Sequence, residues 1–133
     1  MKPGTYIFPS LENPADNMKS PELIEKWQRG PAGMLTVFDP GDLNMGRRLL
    51  HWFLYCVLLG IVVAYLAAAT QAAGAGFLPV FQLVGASAFL GYSGAVWPDV
   101  IWKGASPTSA TKMILDGLAY ALATGAVFGL LWP

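Results

Sequence analysis

Asp116 stands in the stretch TKMILDGLAYALATGAVFGLLWP, which is otherwise apolar from Met113 to Trp132 and long enough to cross a bilayer. An ionisable group at the bilayer centre costs roughly 2.5–3.5 kcal/mol on insertion scales, so such a residue is a functional-site candidate by default. Depth tempers that default. Lys112 lies four residues earlier, about 6 Å along a helix, which places Asp116 near the edge of the hydrocarbon rather than at its centre. Three readings follow. Asp116 is a structural carboxylate satisfied by Lys112 or by a Trp or Tyr donor such as Tyr120, a polar hook for another subunit, or a group that handles protons or ions. Gln82, Ser87 and Thr124 are further polar residues inside apolar runs, and each can hydrogen-bond across helices.

The remaining chemistry-bearing residues are sparse. His51 is the sole histidine, so a haem held by two imidazoles is beyond this chain by itself. His51 remains a weak candidate for the single axial ligand of a chlorin, against an interfacial histidine bonded to headgroups or to the N-terminal segment. A metal site would need His51 to gather Asp99, Asp116 or another carboxylate from separate elements, and no HxxxH or ExxH spacing supports one. Asp99, after Trp97–Pro98, reads as a helix-end or turn residue. Cys56 is the only cysteine and sits in an apolar run, which excludes an internal disulfide, a zinc ribbon or a CxxC pair and leaves a small hydrophobe. There is no GxSxG, Walker loop, GxGxxG or nucleophile beside a histidine base, so no catalytic residue is assigned and an enzyme is not expected. Bound lipid is the only non-protein ligand expected.

These residues are carried by a chain built for a membrane. It is 55% hydrophobic and 12% charged, with a positive mean hydropathy; soluble domains average about 25% charged. Eight basic residues balance eight acidic ones without a basic stripe, so nucleic acid is not an expected partner. The opening MKPGTYIFPSLENPADN is poor in apolar residues, and insertion is expected to be directed by a later segment. The predicted architecture is all-α, with three transmembrane helices over 49–69, 77–97 and 113–132 forming one domain (49–133), preceded by a small segment over 1–48. Each span has about 20 residues, enough for the ~30 Å hydrocarbon core. TQAAGAG between the first two spans is a tight hairpin, with Pro79 tolerated in the first turn that follows. In the second connection, over 98–112, Ser106–Pro107 reads as an N-cap and first helical position, so the third helix is expected to start before its apolar part.

Orientation follows from basic residues, which are retained on the cytoplasmic side. Arg47, Arg48, Lys103 and Lys112 all fall on one face if three spans are crossed, and the opposite face carries no charge. The expected location is a bacterial inner membrane, N-terminal segment cytoplasmic and C-terminus periplasmic. Trp52, Trp97 and Trp102 then anchor the inner interface and Trp132 the outer one. In the N-terminal segment, SPELIEKWQRG predicts a short amphipathic helix capped by Ser20 and stopped at Gly30. MLTVF predicts a short strand or interfacial segment that must pair with something, because one strand cannot satisfy its own backbone.

Small residues recur every four positions: Gly117, Ala121, Gly125 and Gly129 in the third span, Gly60, Ala64 and Ala68 in the first, Ser87, Gly91 and Ala95 in the second. Such ridges let helices approach closely where no hydrophobic force drives them together. Internal packing explains most of this, yet three ridges exceed what a hairpin plus one helix must use.

Ser20–Pro21–Glu22, Gly30–Pro31, Trp52–Phe53, Trp102–Lys103, Asp116–Gly117 and the Leu131–Trp132–Pro133 ending resemble a family of small bacterial integral-membrane proteins of unknown function. The resemblance runs from about Pro3 to Pro133. Longer members of that family begin with an additional apolar segment, and the resemblance implies no catalytic residue. Two functions are therefore expected in competition. The first is a non-catalytic accessory subunit of a larger inner-membrane complex, a bioenergetic one among the candidates, from which Gly117→Leu and Gly125→Leu should release it. The second is a homo-oligomeric transporter or channel with Asp116 lining the path beside Gln82 or Ser87. A pigment- or lipid-binding scaffold using His51 is a third.

Overall fold

A computed structural model describes residues 2–9, 20–41 and 44–133. The chain divides into two units, Met1–Asn44 and Met45–Pro133.

In the first unit, helix α1 (Pro21–Arg29) starts as its sequence dictates. The Ser20 side chain accepts a hydrogen bond from the Leu23 amide at 3.3 Å, Pro21 takes the first position, and Gly30 ends the helix at a φ of 67°. Glu25 and Arg29, one turn apart, form an exposed ion pair at 2.6 Å. The expected strand forms over Gly33–Val37 (β2) and finds its partner in Gly4–Phe8 (β1), antiparallel, in the register Gly4↔Val37 to Phe8↔Gly33. The Phe8 ring lies over Gly33, where a Cβ would meet it at 3.1 Å. Among the described residues of this unit only Leu23 is buried, while Ile7, Ile24, Trp27, Leu35 and Phe38 are exposed.

The second unit is helical: α2 (Met45–Thr70), α3 (Phe77–Ser93), α4 (Val96–Lys103) and α5 (Pro107–Leu131). Three helical stretches, Met45–Thr70, Phe77–Lys103 and Pro107–Leu131, are long and apolar enough to cross a membrane. At 26 and 25 residues, α2 and α5 run about 39 and 38 Å, longer than the hydrocarbon core alone requires. Both begin before their apolar stretch, so Arg47, Arg48 and Lys112 are helical.

The second stretch is not the single helix expected over 77–97. It is interrupted by a turn at Gly94–Ala95, whose backbone stays right-handed, and resumes as α4. The reason is Pro98, which has no N–H to give to the carbonyl of Gly94 and whose ring crowds that carbonyl. The segment expected to be a connection is thereby helical as far as Lys103, and Asp99 sits in the first turn of α4, ion-paired with Lys103 at 2.6 Å. Gly104, left-handed at φ 65°, stops α4.

The helix α3 is the middle of the unit. Its Val80, Val84 and Ala88 are fully buried against Val63 and Ala67 of α2 and Ala121 of α5. Opposite the basic end, the C-terminus closes on the hairpin: the Trp132 indole donates to the Ala72 carbonyl at 3.0 Å, and the Gly74 amide donates to the Pro133 carbonyl.

Candidate functional site

The small residues of α5 are occupied inside the chain. Gly117, Ala121 and Gly125 are buried and Gly129 half-buried. A Cβ on Gly125 would lie 3.0 Å from the Phe81 carbonyl oxygen and 3.2 Å from the Gly85 Cα; on Gly129 it would lie 2.8 Å from the Phe77 ring. Gly117 receives the side chain of Ser93. This ridge is the α3–α5 seam. In the second span, Gly91 receives Leu59 of α2, Ser87 is half-exposed, and Ala95 is exposed at the helix break. On α2 the small ridge is beside the seam rather than in it: Val63 and Ala67 are buried, whereas nothing lies within 4 Å of a Cβ built on Gly60, Ala64 is half-buried and Ala68 is exposed.

The end that carries Arg47, Arg48, Lys103 and Lys112 holds an aromatic cluster drawn from three helices. Ring centroids of Trp52 on α2 stand 5.6 Å from Tyr55, 6.3 Å from Tyr92 of α3 and 6.1 Å from Tyr120 of α5; Tyr92 and Tyr120 are 5.4 Å apart. These tilted pairs are favourable beyond their area, because ring edges meet ring faces. The Tyr55 hydroxyl donates to the Gly91 carbonyl, tying α2 to α3. Trp52 and Tyr120 keep 44% and 47% of their surface exposed. Trp97 and Trp102, on α4, are exposed. Tyr55, Tyr92 and Tyr120 were not grouped by sequence reading. Their signal was depth: each lies about two turns or less inside its span, counted from the same end.

Asp116 is exposed, one turn before Tyr120 on the same face of α5. It makes no hydrogen bond or ion pair among the described residues, and the anticipated pairing with Lys112 is not formed. Helix direction explains this. Side chains lean towards the helix N-terminus, so a basic residue placed after an acid leans back over it, whereas a basic residue placed before an acid leans away. Glu25–Arg29 and Asp99–Lys103 have the acid first and pair; Lys112–Asp116 has the base first.

Other polar groups lie within the same helices. The Thr124 hydroxyl donates to the Tyr120 carbonyl of its own helix at 2.8 Å and also meets the Tyr92 hydroxyl of α3. Gln82 is exposed on the wall of an α3–α5 groove of about 250 Å3 lined by Phe81, Gly85, Ala86, Leu118 and Leu122. Ser93, missed by sequence reading, is 3% exposed, and its hydroxyl has no hydrogen-bond partner. It is pressed against the Gly117 backbone, where a weak Cα–H···O contact is the interaction on offer. His51 is exposed on α2, and among the described residues no three His, Cys, Asp or Glu side chains converge. What this end presents is an unpaired carboxylate one turn from a partly exposed aromatic cluster. Compared with known proteins, the chain matches no family model, no curated protein and no solved structure.

Proposed function

We propose that the chain is a non-catalytic accessory subunit of a larger assembly in a bacterial inner membrane, with residues 1–48 on the cytoplasmic side and Pro133 on the periplasmic side. The observation that carries this reading is the outward side of α2. Over 26 residues this helix buries only Val63 and Ala67, and its Gly60 stands open beside Ala64 and Ala68. A small-residue ridge that no helix of the chain covers is a surface on which a further helix can approach closely. Gln82, exposed on α3, supports it, since a polar group in an apolar span gains from a partner across a helix interface.

The seam glycines are the wrong place to test this. Gly117→Leu or Gly125→Leu would drive α3 and α5 apart whether or not a partner exists. The informative variant is Gly60→Leu with Ala64→Leu. Tagged protein extracted gently from its own host membrane should co-purify with other polypeptides at fixed stoichiometry by native mass spectrometry, and the double variant should lose them with its helical content unchanged. Recovery of the chain alone, or identical partners with the variant, rejects the role.

A second reading, a homo-oligomeric transporter, is favoured by one observation: Asp116 is unpaired. Gln82 is a poor companion for it. The seam sets Phe81 against Gly125 and Gly85 beside Ala121, so Gln82 is level with about Thr124, eight residues or ~12 Å along α5 from Asp116. In this reading Asp116→Asn abolishes flux in liposomes and leaves assembly intact.

A further inference from the structure

Asp116 is exposed one turn before Tyr120 on α5, and Tyr120 packs against Trp52 of α2. The carboxylate sits one turn from Tyr120, whose ring is 6.1 Å from Trp52 between centroids, and all three side chains are exposed. The carboxylate pairs with no cation among the described residues, and Lys112 stands one turn before it, the weaker order for an ion pair at that spacing. Its depth is set as well. Counting about 20 residues back from Leu131 across a ~30 Å core puts the hydrocarbon boundary near Lys112, and the Asp116 side chain leans towards that boundary.

A carboxylate one turn from an exposed tyrosine that packs against an exposed tryptophan offers the chemistry that recognises an ammonium group. The charge pairs with the carboxylate, and its flank rests on the negative ring faces. At a membrane boundary the cations present beside every copy of the chain are lipid headgroups. We infer that Asp116, Tyr120 and Trp52 bind the ammonium of a phospholipid headgroup, with a primary ammonium, as in ethanolamine, preferred over a quaternary one. The preference follows from hydrogen bonding: a primary ammonium donates N–H to the carboxylate, whereas a trimethylated one offers only charge and ring contact. The site opens sideways, so a headgroup can reach it without leaving the bilayer. It stands whether or not the chain is an accessory subunit, because α2's outer ridge contributes nothing to it.

The test is native mass spectrometry of the full chain in detergent, titrated with three phospholipids of identical acyl chains bearing ethanolamine, choline or glycerol headgroups. The expected order is ethanolamine, then choline, then glycerol, with the first about tenfold tighter than the last. Asp116→Asn should bring ethanolamine lipid down to the glycerol level, and Tyr120→Leu should weaken ethanolamine and choline lipids together by about threefold to fivefold. Lys112→Gln should leave the order intact, and circular dichroism of each variant checks that the helices persist. Equal binding of the three lipids, or an Asp116→Asn variant that keeps the preference, overturns the site. Chain-free phosphoethanolamine binding as tightly as the lipid overturns the bilayer as the source. Loss of a co-purifying protein in Asp116→Asn, with no lipid preference in the native chain, reassigns the carboxylate to a cationic side chain of that protein.

Discussion

At the scale of single residues, Lys112–Asp116 has the same spacing as Asp99–Lys103, yet only the latter pairs. Order along the helix separates them, because the long basic side chain reaches back towards the N-terminus. The two kinds of small residue differ in a comparable way. Gly125 faces the Phe81 carbonyl at 3.0 Å, and Gly60 faces open space. Gly125→Ala should therefore destabilise the helical unit by about 1–3 kcal/mol through overpacking, while Gly60→Ala should change it by no more than about 0.5 kcal/mol. Reversible unfolding in mixed micelles measures both, and equal effects would mean that the seam does not run along α5's glycines. Spacing in the sequence marked both as small positions. Which of them is covered depends on a helix some 40 residues away, and no local pattern records that.

At the scale of elements, two helix starts were legible from local signals: Ser20 caps α1 ahead of Pro21, and Pro107 opens α5 after Ser106, which takes the N-cap position without a side-chain hydrogen bond. The break in the second span was also written locally, in Pro98, but hydropathy hides it because the apolar character continues across Gly94–Ala95. Pro98→Ala restores a donor for the Gly94 carbonyl and should join α3 to α4. The amide introduced at position 98 should exchange about fivefold more slowly than the exposed amides beside it, the equivalent of one backbone hydrogen bond. Exchange at the rate of a frayed terminus would show that something other than proline holds the break. The strand Gly33–Val37 was legible from its composition, whereas its partner Gly4–Phe8 was not, since GTYIF is short and bounded by Pro3 and Pro9 and pairing joins segments far apart in the chain.

At the scale of the whole molecule, the two units differ in how much they bury. Residues 45–133 hold a seam of fully buried valines and alanines centred on α3, while among the described residues of the first unit only Leu23 is buried. Residues 45–133 expressed alone should keep the helical melting transition within a few degrees of the full chain, and a 1–44 peptide should show no cooperative transition, since a two-stranded pair with one short helix is marginal. Cooperative melting of the peptide would mean that a core exists there. By itself, the sequence determined that there are three apolar stretches of membrane-crossing length, where α5 begins, and that a carboxylate stands near the end of one of them. These follow from hydropathy, capping and spacing, all of which act over a few residues. The tertiary structure alone decided that α5's ridge is covered and α2's is open, that Trp52, Tyr92 and Tyr120 meet from three helices, and that Asp116 faces outward beside them. The covered ridge and the ring cluster are contacts between residues roughly 30 to 70 positions apart, and the open faces are what those contacts leave, settled by how helices of similar hydropathy pack and not by the pattern along any one of them.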